Sequence, residues 1–335
     1  MRPWALTFWI LFTISNSADA GDAAVSRALE YSQRARAKLQ GSIPLYCDQP
    51  TATDPFLQVF CNDPYEAVCG DGSFWGNIKI DGSKTKAKFD PRRIKQQEEA
   101  LDPFSSYWKT IIEDLKSTLS DTIEQNQKLT RAEKQKMQTA LRTAERMRGA
   151  DFVALGKEQV DQYRRSCGNN GSRINAFYFD EKIVICLGAL WLGEDKARNG
   201  PGYNRVVGIL RHEIGHAIAE IFTSDANPYA SYLKCLHETL GLGESEQDML
   251  NRSKEVVSDF WAAESLAVHL ERTKDVFGRA QILTAELRTN LELYCTFSKG
   301  SERHLDTVDR LNLIFGRHSR LRNALGCGPV TSCTL

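Results

Sequence analysis

Apolar residues recur at helical spacing over most of this chain. Val206, Val207, Ile209, Leu210, Ile214, Ala217, Ile218 and Ile221 make a broad apolar surface behind the breaker run Asn199-Gly200-Pro201-Gly202. That pattern predicts a buried helix. A second amphipathic helix is predicted from Ser253, placed as its N-cap, to Ala267. Between Pro91 and Arg165, Trp108, Ile111, Ile112, Leu115, Leu119 and Ile123, then Met137, Leu141 and Met147, predict two or three scaffold helices. The heptad is not sustained there, so a coiled coil is not expected. Ala23 to Leu39 also reads as helix, whereas residues 41–82 carry turn formers and three cysteines and read as loop. Strand character is confined to Asn175-Ala176-Phe177-Tyr178-Phe179 and Lys182–Gly188, after the turn Cys167-Gly168-Asn169-Asn170-Gly171. Two short strands, or one bent strand, would lead into a helix near Ala189–Leu192. The expected class is mainly α (α+β), with a small β-sheet beside the 206–221 helix.

The ends and the cysteines change this picture by placing the chain in a compartment. Arg2, an apolar run from Trp4 to Ile14 and the small-residue sequence Ala18-Asp19-Ala20 predict a signal peptide over residues 1–20, cut after Ala20. All nine cysteines follow that cut, which suits an oxidising compartment. The protein is expected to be secreted or periplasmic. An odd count leaves one cysteine over, and Cys186, in the apolar run Ile183–Leu187, is the expected free thiol. Cys61 with Cys69 and Cys327 with Cys333 are the expected local pairs, although connectivity does not follow from sequence. Asn170-Gly171-Ser172 and Asn251-Arg252-Ser253 are glycosylation sequons, of consequence only in a eukaryotic secretory pathway. With 43 basic and 43 acidic residues there is no electrostatic footprint for nucleic acid, and no later stretch is long and apolar enough to span a membrane. Residues 21–166 are expected to form a cysteine-containing helical region and 167–335 the working domain.

The chemistry is concentrated at His212-Glu213-Ile214-Gly215-His216. Residues four apart share a helix face, so His212 and His216 would grip one zinc ion, with Glu213 as general base toward water. Downstream, Glu255 and Asp259 are also four apart. Glu255 would complete a His₂Glu site, and Asp259 would accept a hydrogen bond from a ligand imidazole and fix its tautomer. Glu264 is a weaker candidate ligand, and Asp225, Glu238, Glu244 and Glu246 are weaker still. His237 and His269 read as packed or surface histidines and His318, in the basic Arg317–Arg320 stretch, as solvated; no GxSxG or cysteine-nucleophile context is present.

Taken in order, Asn175-Ala176-Phe177, the apolar strand, HExxH and the later ExxxD resemble the gluzincin zinc metallopeptidases, closest to the HtpX/CAAX-prenyl-protease type. Asn175–Tyr178, Gly202-Tyr203-Asn204 and the cysteine-rich segment Cys61–Gly70 echo the neprilysin type more faintly. The resemblance covers roughly residues 170–315. It implies a zincin-like domain in which Asn175, Ala176 and Phe177 line a substrate cleft, the strand pairing with an extended peptide and the Asn175 side chain holding its main chain. Arg303-His304-Leu305-Asp306-Thr307-Val308-Asp309-Arg310 resembles the HP-x₄-R segment of HtpX-like enzymes, with Leu305 in the proline's place. His304 or Arg310 would then supply the donor that a tetrahedral oxyanion needs. The multiple membrane spans of that family are missing and the many cysteines are foreign to it, so its specificity does not carry over.

The expectation is an exported endopeptidase with one zinc per chain, acting on protein or peptide substrates. The alternatives are a latent or non-catalytic zinc-binding module serving as a chaperone or adaptor, and a zinc-independent helical interaction protein working through 91–165.

Overall fold

The computed structural model describes residues 54–70, 89–101, 105–193, 201–221, 228–241, 252–277, 280–296 and 305–333. The expected signal peptide, the 23–39 helix, Cys47, Asn251, Asp225, Glu244, Glu246 and His304 lie outside them. Helices dominate, and several begin where a short polar side chain caps them. Asp54 accepts hydrogen bonds from the N–H groups of Phe56 and Leu57 (2.9 and 3.3 Å) at the start of α1, Pro55–Asn62. Asp63 accepts from Glu66 N–H (3.0 Å) at the start of α2, Pro64–Cys69. These helices correct the loop reading of 41–82. Pro55 and Pro64 look like breakers in sequence but occupy first-turn positions, where no N–H is needed.

The scaffold region holds α3 (Pro91–Leu101), α4 (Ser105–Gln125) and α5 (Arg131–Thr143), then β1 (Glu145–Met147), α6 (Gly149–Ala154) and α7 (Lys157–Cys167). Thr130 and Glu133 form a reciprocal capping box at the start of α5. At α6 the cap comes from a distance: the buried Glu98 carboxylate accepts from Gly149 and Ala150 N–H, at 2.8 and 2.9 Å. Next come β2 (Ala176–Phe179), β3 (Lys182–Ile185) and α8 (Leu187–Gly193), as expected for two short strands leading into a helix.

The sheet order is β1-β3-β2, with β1 parallel and β2 antiparallel to β3. β1 is absent from the sequence reading because Glu145-Arg146-Met147 has no alternation; its pairing to Lys182–Val184 makes it a strand. Asp180 and Glu181 link β2 to β3 with φ of 47° and 63°, the left-handed pair that a two-residue hairpin turn requires.

The remaining elements are α9 (Pro201–Ala219), α10 (Ala230–Leu240), α11 (Ser253–Phe277), α12 (Ala280–Leu291), a 3₁₀ turn at Glu292–Thr296, a helical turn at Thr307–Asp309 running into a π-helical Arg310–Phe315, and α13 (Ser319–Leu325). In α11, Arg252 supplies the carbonyl that accepts from Val256 N–H (3.0 Å), so Ser253 is the first helical residue rather than the cap.

Helix α9 packs against α4, α5, α8, α11, α12 and β2, burying Val206, Leu210, Ile214, Ala217 and Ile218. Helix α11 is buried over most of Val256–Leu270 and joins two hydrophobic clusters, Val256–Trp261 belonging to one and Ala262–Leu270 to the other. Residues on both sides of Cys167 share the larger cluster: Ile94, Ile112 and Leu119 lie in it with Val206, Ile214 and Trp261.

Four disulfides cross-link the described residues: Cys61–Cys327, Cys69–Cys295, Cys167–Cys186 and Cys235–Cys333. This overturns both expected local pairs and the free Cys186. An apolar neighbourhood made Cys186 look like a buried thiol, but the turn at 168–171 folds Cys167 back against it. No described helix is long and apolar enough to cross a membrane.

Candidate metal centre

One turn of α9 presents His212 and His216 side by side, and α11 crosses at that level. The crossing is close because residue 215 is glycine. A Cβ there would stand 2.7 Å from Ser258 O and 2.8 Å from Ser258 Cα, inside the backbone of α11. Gly208 does the same toward α12, where a Cβ would meet Asn290 O at 2.1 Å. With the axes this near, the Glu255 and Asp259 side chains reach the α9 histidines.

The convergence is tight. His212 Nε2 lies 3.1 Å from His216 Nε2 and 3.2 Å from Glu255 Oε2, and His216 Nε2 lies 3.6 Å from Glu255 Oε2. Four ligands about 2.05 Å from a tetrahedral zinc ion stand roughly 3.3 Å apart, so the three separations bracket the expected edge. Two imidazoles and one carboxylate are also a donor set that zinc favours. Among the described residues this is the group of histidines, cysteines and carboxylates that could hold a metal ion.

Behind the ligands, His212 Nδ1 faces Asp259 Oδ1 at 2.8 Å. The carboxylate accepts that proton, which leaves the Nε2 lone pair for a metal. Asp259 is itself oriented by Arg310, whose Nε donates to Oδ2 (2.7 Å) and Nη2 to Oδ1 (2.8 Å). Burial opposes the charge on Asp259, but Arg310 and His212 outweigh it and hold the carboxyl down at about 2. Burial likewise opposes charge on His212, yet Asp259 and Glu255 outweigh it and lift the imidazole to about 10. A bound cation would displace that proton, which makes metal affinity pH-dependent.

Glu213 projects from the same turn of α9 toward the sheet, and its Oε2 accepts from Tyr178 N–H at 2.9 Å. Burial first, opposed by His212 and aided by Glu255, pushes its carboxyl up to about 7. β2 is the edge strand on this side. The Cys186 N–H to Asn175 O bond (3.0 Å) and the β2–β3 register turn residues 175, 177 and 179 to the ladder and Ala176 and Tyr178 to the outer edge.

The sequence-predicted residues thus fall into three groups. His212, Glu213, His216, Glu255 and Asp259 come together as expected from HExxH and ExxxD. Arg310 joins them, but bound through two N–H groups to Asp259 and 3% exposed, so its contact is with the relay behind the ligands. Asn175, Ala176 and Phe177 lie on the adjacent strand, where Ala176 and Phe177 are buried and the Asn175 amide donates to Ser166 O at 3.3 Å. Glu264 is remote from the ligand turn, beside Arg320 and His318, and Glu238 is exposed beside Lys234.

Sequence reasoning missed three contributors. Gly215 was visible inside the motif but carries no chemistry of its own. The Tyr178 N–H is backbone and leaves no residue-type signal. Tyr294 lies far along the chain, yet its ring packs edge-on to His212 and under the Arg310 guanidinium. No known family model matches the chain, and no curated protein matches it in sequence.

Proposed function

We propose that this protein is an exported zinc-dependent endopeptidase with a zincin-like catalytic unit. The observation that carries the reading is the His212–His216–Glu255 triangle, sized for one tetrahedral ion, with the raised carboxyl of Glu213 one residue along the helix. His212, His216 and Glu255 would hold the ion, which when bound supplies Lewis acidity toward a carbonyl and brings the pKa of water toward neutrality.

The protein's own residues do the rest. Glu213 Oε2 is taken by the Tyr178 N–H, so Oε1 is the atom that removes a proton from the water attacking the scissile carbonyl. The same oxygen then delivers that proton to the leaving amine as the C–N bond breaks. Asp259 and Arg310 keep His212 in the tautomer a ligand needs. Burial of the Glu213 carboxyl keeps its proton affinity near neutrality, where a general base is most effective. Four disulfides fit the oxidising compartment that export implies.

The test is casein or denatured-protein cleavage by purified protein with metal quantified, beside Glu213→Gln. The expected result is one zinc per chain in both proteins, with chelator-sensitive cleavage by the wild type alone. Zinc bound by both with cleavage by neither would replace the enzyme by a latent or structural zinc module. No zinc at all would end the reading.

A further inference from the structure

The 3₁₀ turn Glu292–Thr296 is anchored on both sides of Tyr294. On one side, the Glu292 carboxylate pairs with Arg205 of α9 at 2.7 Å and with Arg288 of α12 at 3.0 Å. On the other, Cys295 is cross-linked to Cys69 of α2. The Tyr294 carbonyl itself accepts from Thr307 Oγ1 at 2.9 Å. These independent tethers fix where the segment lies, and its Tyr294 side chain enters the space behind the metal ligands. The ring lies 4.7 Å from the Arg310 guanidinium carbon, 6.3 Å from the His212 ring at an interplanar angle of 88°, and 4.9 Å from Phe315.

Asp259 holds His212 and Arg310 through hydrogen bonds, but hydrogen bonds alone leave each flat group free to rock about them. A wall on the face of the guanidinium and at the edge of the imidazole removes that freedom. We propose that Tyr294 is a positioning residue for the metal centre, its ring holding Arg310 and His212 in the orientation that aims His212 Nε2 at the ion, with the Cys69–Cys295 disulfide fixing the ring in turn. The inference rests on the zinc-site reading above; the Tyr294 hydroxyl also faces Asp259 but makes no well-formed hydrogen bond, and the inference assigns the work to the ring.

Zinc affinity tests it, read by competition with a chromophoric chelator on the full secreted chain, with thermal unfolding of the metal-free protein measured in parallel. Tyr294→Leu is expected to weaken zinc 10- to 100-fold, the range typical of losing a partner that orients a ligand, while Tyr294→Phe stays within about threefold of wild type. Cys69→Ser/Cys295→Ser is expected to weaken zinc in the same direction as Tyr294→Leu. Phe60→Leu, a buried ring in α1 away from the ligands, serves as the control that lowers the unfolding temperature without moving zinc affinity. Should Tyr294→Leu not fold, Tyr294→Met keeps most of the volume without the π face and carries the same expectation.

Wild-type affinity in the leucine or methionine variant overturns the inference and leaves the metal centre standing. Equal weakening by the phenylalanine and leucine variants overturns the assignment to the ring. A wild-type protein that takes up no zinc overturns the site and the inference together.

Discussion

Asp259 shows most clearly how a single residue acts through its neighbours. It is 1% exposed and receives donors from His212 and Arg310, so removing its charge strands both. Asp259→Asn is expected to lower zinc affinity 10- to 100-fold by chelator competition. It should also cost about 3–5 kcal/mol of stability, because Arg310 is left as an uncompensated buried cation. His318, read from its basic neighbours as solvated, is instead 3% exposed because it caps α13 from inside the fold. Its Nδ1 accepts from Leu321 N–H at 3.3 Å, capping α13, and its Nε2 faces Glu264 at 3.4 Å. Burial, aided by Arg320, lowers its pKa from 6.5 to about 3. The folded state therefore keeps His318 neutral where the unfolded chain would bind a proton. The stability it contributes is full above pH 6.5 and is lost progressively as pH falls toward 3. His318→Asn, which retains a capping side chain, should lower the unfolding temperature at pH 7.5, and the gap to wild type should narrow as unfolding is followed down to pH 4.

At the scale of elements, the helix crossings and caps decide whether those side chains can meet. Alanine in place of glycine stabilises an exposed helix by up to about 1 kcal/mol, but at position 215 the sign reverses. The added methyl would collide with the backbone of α11 at Ser258, which cannot rotate away. Gly215→Ala is expected to cost about 1–3 kcal/mol in denaturant unfolding and to weaken zinc, because Glu255 rides on the helix that is pushed back. The N-terminus of α6 has an equally specific need. Glu98 offers one carboxylate oxygen to each of two N–H groups, and burial raises its pKa against their pull. Glu98→Gln presents an N–H₂ to one of those donors, so a loss of about 1–3 kcal/mol is expected in the same measurement. Both helices of the site were legible from apolar spacing alone, and so was the β2–β3–α8 succession. β1 and the helices α1 and α2 were not, because each depends on a partner or a cap rather than on its own periodicity.

At the scale of the whole molecule, two of the four disulfides tie α1 and α2 to the far end of the chain, over sequence separations of 266 and 226 residues. Closing loops of that length restricts the unfolded chain, and Cys61→Ser/Cys327→Ser is expected to cost about 2–4 kcal/mol in thermal unfolding. What the sequence by itself determined was local. The period of the apolar positions specified the helices, and the i, i+4 spacing of His212 with His216 and of Glu255 with Asp259 specified two half-sites, because helical geometry makes such residues share a face. The cysteine content and apolar N-terminus pointed to export for similarly local reasons. Only the tertiary structure decided which cysteines pair, that Arg310 belongs behind Asp259, that the Tyr178 N–H meets Glu213, and that Tyr294 stands beside His212. Each of these contacts joins residues distant in sequence. Periodicity fixes which face a residue occupies but carries no information on which other face it will meet; packing, cross-links and the close approach allowed by Gly215 supply that.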